Sequence, residues 1–167
     1  TAYEISECLV GSEMCKEIDL DPDTNEKYIP YVIEPSLGVE RLFLTVLCDA
    51  YNEEVLEDGT TREVLKLHPY LAPYKVAVLP LVKKFHSEKA REIYRELIKE
   101  FNCSYDETGN IGKRYRRSDA IGTPFAITID DETINNNTVT LRNRDTMEQI
   151  TLNVNEVASY INEKIKF

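Results

Sequence analysis

The sequence predicts an α/β fold in which a mixed sheet of four or five strands packs with about three helices. Two observations support this prediction. From residue 75 onward, short apolar segments alternate with amphipathic helical segments, and two more strand-like segments follow with only a turn between them. Strand–helix–strand alternation indicates parallel pairing, and closely spaced strands indicate an antiparallel hairpin. The charge also changes along the chain, which indicates two parts with different partners.

The change of charge along the chain determines whether the composition excludes a nucleic-acid partner. The 167 residues carry a net charge of −10, which taken alone argues against a nucleic-acid partner. Residues 1–74, however, hold 5 basic and 16 acidic residues, whereas residues 75–167 hold 15 basic and 14 acidic ones. The acidity therefore belongs to the first part and does not exclude RNA as a partner of the second. No apolar run approaches the ~18 residues of a membrane-spanning helix, so we expect no membrane partner.

The first part is predicted to contain a strand, a helix and an exposed connection. Residues 28–34 (YIPYVIE) are β-branched and aromatic, which favours a strand. From Gly38 to Asn52 apolar residues recur at helical spacing, which predicts one buried face. The residues of that face are Val39, Leu42, Phe43, Val46, Leu47, Ala50 and Tyr51. The acidic, turn-prone residues 53–63 are expected to be exposed. Two prolines in residues 68–73 mark the joint, which gives domains of 1–70 and 71–167.

The second part is predicted to alternate between strands and helices. We expect strands at 75–80, 103–106, 124–130 and 138–144, with a fifth possible strand at 147–152. We expect helices at 87–101, 111–120 and 153–167, and a turn rich in Asp and Asn between residues 130 and 138.

One candidate for chemistry lies at the junction of the first predicted strand and helix. Arg41 is in the opening turn of that helix, where a cation opposes the helix dipole unless an anion lies nearby. Glu34, at the end of the strand, could face a cationic ligand. The alternative is that Arg41 pairs with a neighbour such as Glu40 and that Glu34 is solvated.

The other candidate is the basic helix at 111–120. It carries four cations, Lys113, Arg114, Arg116 and Arg117, with Tyr115 among them. Cations can bind phosphates, and an aromatic ring can stack on a base. The alternatives are that the cations form a solvated helix face and that Tyr115 belongs to the core. The strand at 138–144 adds Arg142 and Arg144, which could be ordinary cross-strand pairs.

Other reactive residue types do not form a site. The four cysteines, Cys8, Cys15, Cys48 and Cys103, show no CxxC spacing, so we expect reduced thiols and no metal. The two histidines, His68 and His86, are expected at the surface. No Ser/His/Asp set, P-loop or GxGxxG pattern occurs.

Four segments together resemble one enzyme family. Residues 31–44 (YVIEPSLGVERLFL) resemble motif 3 of class II aminoacyl-tRNA synthetases in its glycine-specific form, with EPS before the Gly-x-x-Arg. Residues 71–81, 111–130 and 139–149 resemble the anticodon-binding domain of the same enzymes. The four segments follow one another in the order and spacing of the family. The resemblance therefore identifies the chain as a C-terminal part of the glycyl-tRNA synthetase family.

The resemblance implies an ATP-dependent ligase that joins glycine to its tRNA through a glycyl-adenylate. It implies that Arg41 is the catalytic arginine that contacts the ATP phosphates and stacks near the adenine. Glu34 and Ser36 match positions that hold glycine, and Glu34 would also contact ATP. Lys113, Arg114, Tyr115, Arg116, Arg117 and Arg142 are candidate contacts for glycine tRNA because they are charged or aromatic and lie in the matching segments. The implied fold is an α/β anticodon-binding domain preceded by the end of an antiparallel-sheet catalytic domain.

The match leaves two parts of the family pattern out. Motifs 1 and 2, which build the dimer interface and bind the α-phosphate, do not occur in this chain, which begins at Thr1 without a methionine. We therefore expect a piece of a cytoplasmic, homodimeric enzyme that is inactive alone. ATP with Mg²⁺ would be used by the intact enzyme, and this piece would hold no cofactor. A non-catalytic synthetase-like accessory protein is one alternative, and a synthetase for proline, threonine or histidine is another.

Overall fold

The computed structural model describes residues 19–29, 35–56 and 59–166. The chain forms two compact units, residues 1–38 and 39–167. In the first unit, strand β1 (Asp19–Leu20) pairs antiparallel with β2 (Lys27–Tyr28). Residues 30–34, which hold most of the predicted strand and also Glu34, lie outside the described residues.

The second unit begins with a helix and a hairpin and continues with a five-stranded sheet and four helices. Its elements are α1 (Val39–Ala50), β3 (Tyr51–Val55), β4 (Thr61–Leu65), β5 (Val76–Pro80), α2 (Lys83–Leu97), β6 (Cys103–Tyr105), α3 (Ile111–Ala120), β7 (Phe125–Ile129), α4 (Asp131–Asn136), β8 (Thr138–Asn143), β9 (Gln149–Asn153) and α5 (Val154–Ile165). In this described part of the chain, no helix combines the length and the apolar character needed to cross a membrane.

The sheet is mixed, as the sequence predicts. Its strand order is β6-β5-β7-β8-β9, with β5 parallel to both β6 and β7 and with β8 antiparallel to its two neighbours. The α/β fold class and the predicted strands of the second part are confirmed. The predicted turn at 131–137 instead contains the short helix α4. Asp130 caps it by accepting a hydrogen bond from the backbone N–H of Thr133 at 3.1 Å.

The main core lies on one face of this sheet, beneath α2 and α5. Alternate strand residues such as Val78, Ile127 and Leu141 point into it, and Ile93 and Ile161 come from the two helices. A smaller cluster on the other face joins Ala77, Leu79 and Ala126 to α3. All five residues of β5 are buried because it is paired on both sides and covered on both faces.

Helix α1 forms where it is predicted, but its apolar face is not buried as predicted. Of the seven residues assigned to that face, Ala50 alone is buried, whereas Val39 and Phe43 are 76% and 65% exposed. Instead of entering a closed core, the face lines an open groove of about 450 Å³ together with residues such as Leu65 and Leu67.

The segment at 53–63 is exposed at most of its described residues, as predicted, but it contains most of a hairpin and is not a simple connection. Strands β3 and β4 pair along five residues, from Tyr51 with Leu65 to Val55 with Thr61. On β4, Arg62 and Val64 are buried, and the strand packs against α3. The predicted domain division between residues 70 and 71 stays a prediction.

His86, predicted at the surface, is buried. Its Nδ1 accepts a hydrogen bond from the backbone N–H of Val82 at 3.0 Å, and its Nε2 lies 3.0 Å from an oxygen of Asp131. The ring thus satisfies a backbone donor at the start of α2. The cysteines that the structure describes, Cys48 and Cys103, are free thiols.

Candidate nucleic-acid interface

The second face of the sheet is covered by α3 along β5 and β7 and carries polar side chains along β8 and β9. Thr140 and Arg142 alternate with the core residues of β8 and therefore point to this second face. Their partners across the β8–β9 ladder are Thr151 and Gln149, both of which are exposed. This group, Thr140, Arg142, Gln149 and Thr151, is called the polar half-sheet below.

Tyr115 of α3 lies beside the polar half-sheet. It is half-buried, and its hydroxyl is hydrogen-bonded to the hydroxyl of Thr128 on β7. The guanidinium of Arg142 lies 4.8 Å from the centroid of the tyrosine ring. Tyr115 is therefore partly core, and its ring also orients an arginine on the adjacent strand.

Arg142 is held by a buried carboxylate as well as by the ring. Its Nη1 and Nη2 donate to the two oxygens of Asp119 at 3.0 and 3.3 Å. Asp119 is 2% exposed and accepts a third hydrogen bond from Nε of Arg62 at 3.0 Å. Arg142 itself is 8% exposed, so it lies just below the surface.

The four cations of α3 have different environments, which their spacing in the sequence does not reveal. Lys113 and Arg116 are exposed, and Arg116 donates to the hydroxyl of Thr60 at 3.2 Å. Arg117 is also exposed but is paired with Asp106, to which its Nε donates at 2.8 Å. Arg114 is 3% exposed.

The buried guanidinium of Arg114 binds the main chain. It donates to the carbonyl oxygen of Pro80 at the end of β5, to that of Glu107 at 3.2 Å and to that of Gly109 at 2.6 Å. Its Nε is buried without a hydrogen-bond partner in the structure. Arg114 therefore ties the end of β5 to the loop that leads into α3, and a direct contact with RNA would require it to leave these carbonyls.

Glu107, whose carbonyl oxygen binds Arg114, also accepts several hydrogen bonds through its carboxylate. Hydrogen bonds from Lys83 and Tyr105 lower the pKa of Glu107 to about 2, and Ser87 contributes a further one. The Lys83 Nζ to Glu107 Oε1 distance is 2.9 Å. The carboxylate thereby links α2 to the loop after β6 and offsets part of the positive charge there.

The candidate residues of the motif 3 segment are described in part. Ser36 lies in the exposed residues 35–38, and Arg41 is exposed in the first turn of α1. Glu34 lies outside the described residues. Whether the three candidates lie together is therefore untested, and their roles stay predictions.

Sequence reasoning missed Arg62 and Asp119 as members of the site. A signal for Asp119 existed, because Ile111, Tyr115 and Asp119 recur at i, i+4, i+8 on one face of the basic helix. A carboxylate on the face that packs against the sheet requires a buried cation. Arg62 gave no such signal, because the acidic segment around it was interpreted as an exposed connection.

Known proteins share much of the sequence of this chain. Residues 75–164 match the family described as "Anticodon binding domain". The chain is 59% identical to the glycine–tRNA ligase of Clostridium tetani (strain Massachusetts / E88) and 60% identical to that of Geobacillus kaustophilus (strain HTA426). Each match covers 89% of this chain and 32% of the relative. The chain thus spans about a third of the length of these relatives.

A solved structure is similar as well. The RNA binding domain of threonyl-tRNA synthetase from Cryptosporidium parvum Iowa II superimposes with a TM-score of 0.55 at 28% sequence identity. The match covers 59% of this chain and 25% of that one. The resemblance found in the sequence is confirmed, and the chain belongs to the anticodon-binding domain family.

Proposed function

We propose that this chain is the anticodon-reading part of a glycine–tRNA ligase. The observation that carries the proposal is the polar half-sheet, in which Arg142 lies over the ring of Tyr115. The exposed cations of α3 border this surface. Relatives named glycine–tRNA ligase share 59–60% of residues with the chain, against 28% for the threonyl-tRNA synthetase domain. This difference favours glycine over threonine as the amino acid of the intact enzyme.

Single-stranded anticodon bases suit a polar sheet surface of this kind. Unstacked bases present donors and acceptors at their edges, which Gln149, Thr140 and Thr151 can match, and they present faces that can stack on a guanidinium. Arg142 can offer its remaining donor capacity to a base edge while Asp119 holds it. We therefore assign base reading to the polar half-sheet.

The cations of α3 divide into two roles in this proposal. Lys113 and Arg116 are exposed and are assigned to the phosphates of the stem-loop, and Arg117 contributes less because Asp106 already neutralises it. Arg114 is assigned to support of the loop before α3, since its donors are occupied by backbone carbonyls. Phosphate contacts set affinity, whereas base contacts set specificity.

We further propose that the intact enzyme activates glycine with ATP and transfers it to glycine tRNA in the cytoplasm as a homodimer. In this proposal Arg41 binds ATP phosphate, while Glu34 and Ser36 hold the ammonium group of glycine. Among the described residues, no three His, Cys, Asp or Glu side chains converge. We assign no ligand here to the Mg²⁺ that accompanies ATP. The chain alone is expected to be inactive in glycine activation.

The test of the proposal is binding of an RNA stem-loop that carries the anticodon of glycine tRNA. A matched stem-loop with the middle anticodon base changed is the control RNA. We expect the 167-residue chain to prefer the first RNA and to lose affinity for both as salt rises. Equal binding of the two RNAs would refute anticodon reading.

A further inference from the structure

Asp119 joins two arginines that are far apart in the sequence. It receives Arg142 from β8 through two hydrogen bonds and Arg62 from β4 through one. All three side chains are at least nine-tenths buried. A buried carboxylate that accepts three charge-assisted hydrogen bonds is fixed in its plane, because a rotation would break at least one of them.

All three guanidinium nitrogens of Arg62 donate hydrogen bonds. Besides Asp119, its Nη1 donates to Glu54 at 2.9 Å and its Nη2 donates to the carbonyl oxygen of Arg144. Arg144 in turn donates to the carbonyl oxygens of Gly122 and Leu67, both at 2.8 Å. The hairpin β3–β4, the end of α3 and the end of β8 are thus joined by buried polar contacts.

The hairpin lies outside the part of the chain that matches the anticodon-binding domain, which begins at residue 75. Arg62 is 3% exposed and therefore does not reach RNA itself. Its partner Asp119, however, is hydrogen-bonded directly to Arg142, a member of the polar half-sheet.

We infer that Arg62 is a positioning residue for RNA reading: it fixes the Asp119 carboxylate that holds the Arg142 guanidinium over Tyr115. The β3–β4 hairpin is then a working part of the RNA-reading unit although it precedes the matched domain. This inference rests on the proposed function.

The physical reason is preorganisation. An arginine has many rotamers, and a binding site gains affinity and selectivity when the bound orientation is already imposed in the free protein. Without Arg62, Oδ2 of Asp119 loses one of its two donors and the carboxylate can turn. Arg142 would then sample several orientations above Tyr115, and discrimination between bases would fall, while the phosphate contacts of α3 would remain.

Three variants of the full chain test the inference. Arg62→Met keeps the length and apolar stem but removes every donor. Arg62→Lys keeps the charge but cannot serve three acceptors that lie in different directions. Glu54→Gln is the matched control, because it alters another partner of Arg62 on the same hairpin and leaves the Asp119 contact in place.

Two measurements are made on each variant. The first is the NMR signal of the Arg142 guanidinium protons without RNA, which reports how firmly the group is held. The second is the preference for the glycine-anticodon stem-loop over the stem-loop with the changed middle base. We expect Arg62→Met to broaden the Arg142 signals and to reduce the preference about tenfold. Its salt dependence should equal that of the wild type, because no phosphate contact is lost. Arg62→Lys should be intermediate, and Glu54→Gln should resemble the wild type.

Each outcome supports or overturns the assigned role of Arg62. A folded Arg62→Met variant with unchanged preference overturns the inference, whatever its NMR signals show. If Arg62→Met does not fold, Arg62→Lys takes its place, and full preference in that variant overturns the inference. If the wild type shows no preference between the two RNAs, the proposed function fails. In that case the Arg142 signals alone decide whether Arg62 positions Arg142, and unchanged signals overturn that as well.

Discussion

The guanidinium of Arg142 lies over the ring of Tyr115, 4.8 Å from its centroid, and its Nη1 and Nη2 donate hydrogen bonds to the carboxylate of Asp119. Two residues of α3 thereby hold one cation of β8. Because Arg142 is restrained before any ligand arrives, the arrangement favours recognition of a planar group at this edge of the sheet.

The two functions of Tyr115 can be separated by substitution. Tyr115→Phe keeps the ring but leaves Thr128 without its partner, so it should cost about 1 kcal/mol of unfolding free energy and preserve stem-loop binding. Tyr115→Leu also removes the ring beneath Arg142 and should weaken stem-loop binding about threefold to tenfold. Urea unfolding and RNA titration measure the two effects. Equal RNA affinity of the two variants would mean that the ring does not serve Arg142.

The exposed cations of α3 should control the salt dependence of RNA binding. Lys113→Ala and Arg116→Ala should each lower the slope of log K against log salt by about 0.7–0.9, the loss expected for one phosphate contact. Lys99→Ala is the control, because Lys99 is also exposed but follows α2, which covers the opposite face of the sheet. Slopes that match the wild type in both α3 variants would show that these cations form only a solvated helix face.

Arg114 should behave differently from its neighbours in the sequence. Arg114→Ala leaves the carbonyls of Pro80, Glu107 and Gly109 without their donor, so it should lower the unfolding free energy by about 3 kcal/mol. Its salt slope, measured where the variant is folded, should stay at the wild-type value. A stable variant with a reduced slope of log K against log salt would indicate that Arg114 contacts RNA.

The low pKa of Glu107 predicts a pH dependence of stability. Its pKa is about 2 in the folded protein against a usual 4.5, so the ionised form stabilises the fold fully above about pH 5. This stabilisation is lost as the pH falls from about 5 towards 2. Glu107→Gln should therefore melt at a lower temperature than the wild type at pH 7, and the difference should shrink below pH 4. A difference that stays constant from pH 7 to pH 3 would contradict the assignment of this stabilisation to the ionised carboxylate.

Arg41 should act on glycine activation and not on anticodon reading. In the intact ligase of which we propose this chain is a part, Arg41→Ala should slow glycine-dependent ATP–pyrophosphate exchange by about two to three orders of magnitude. Stem-loop binding by the same variant should be unchanged. A folded variant with normal exchange would remove Arg41 from the ATP site.

The local pattern of the second part predicts its five strands and three of its four helices, although it places α2 four residues too late and does not reveal the short helix α4. Strand β5 is an uninterrupted apolar run, and α3 was predicted with its observed limits, 111–120. The hairpin β3–β4 could not be predicted, because its acidic, turn-prone sequence resembles an exposed connection. Its buried arginine, Arg62, pairs with Asp119, which lies 57 residues later in the chain.

The candidate site was predictable in composition and not in geometry. The sequence indicated a basic helix with a tyrosine, but it could not show that Arg114 turns inward and Arg116 outward. Nor could it show that Arg142 and Asp119 form a pair, because pairing between a helix and a strand depends on the tertiary arrangement.

The position of β5 between two strands that follow it in the chain has a consequence for biosynthesis. Both strands that pair with β5 come later in the chain, and β7 ends at Ile129, about 50 residues after β5. A ribosome releases the chain from the N-terminus, so the apolar strand β5 emerges well before its second partner exists. The nascent protein must keep β5 from associating with other chains until β7 has been synthesised. Substitutions that slow the formation of α2 or α3 should therefore reduce the yield of folded protein more than its final stability.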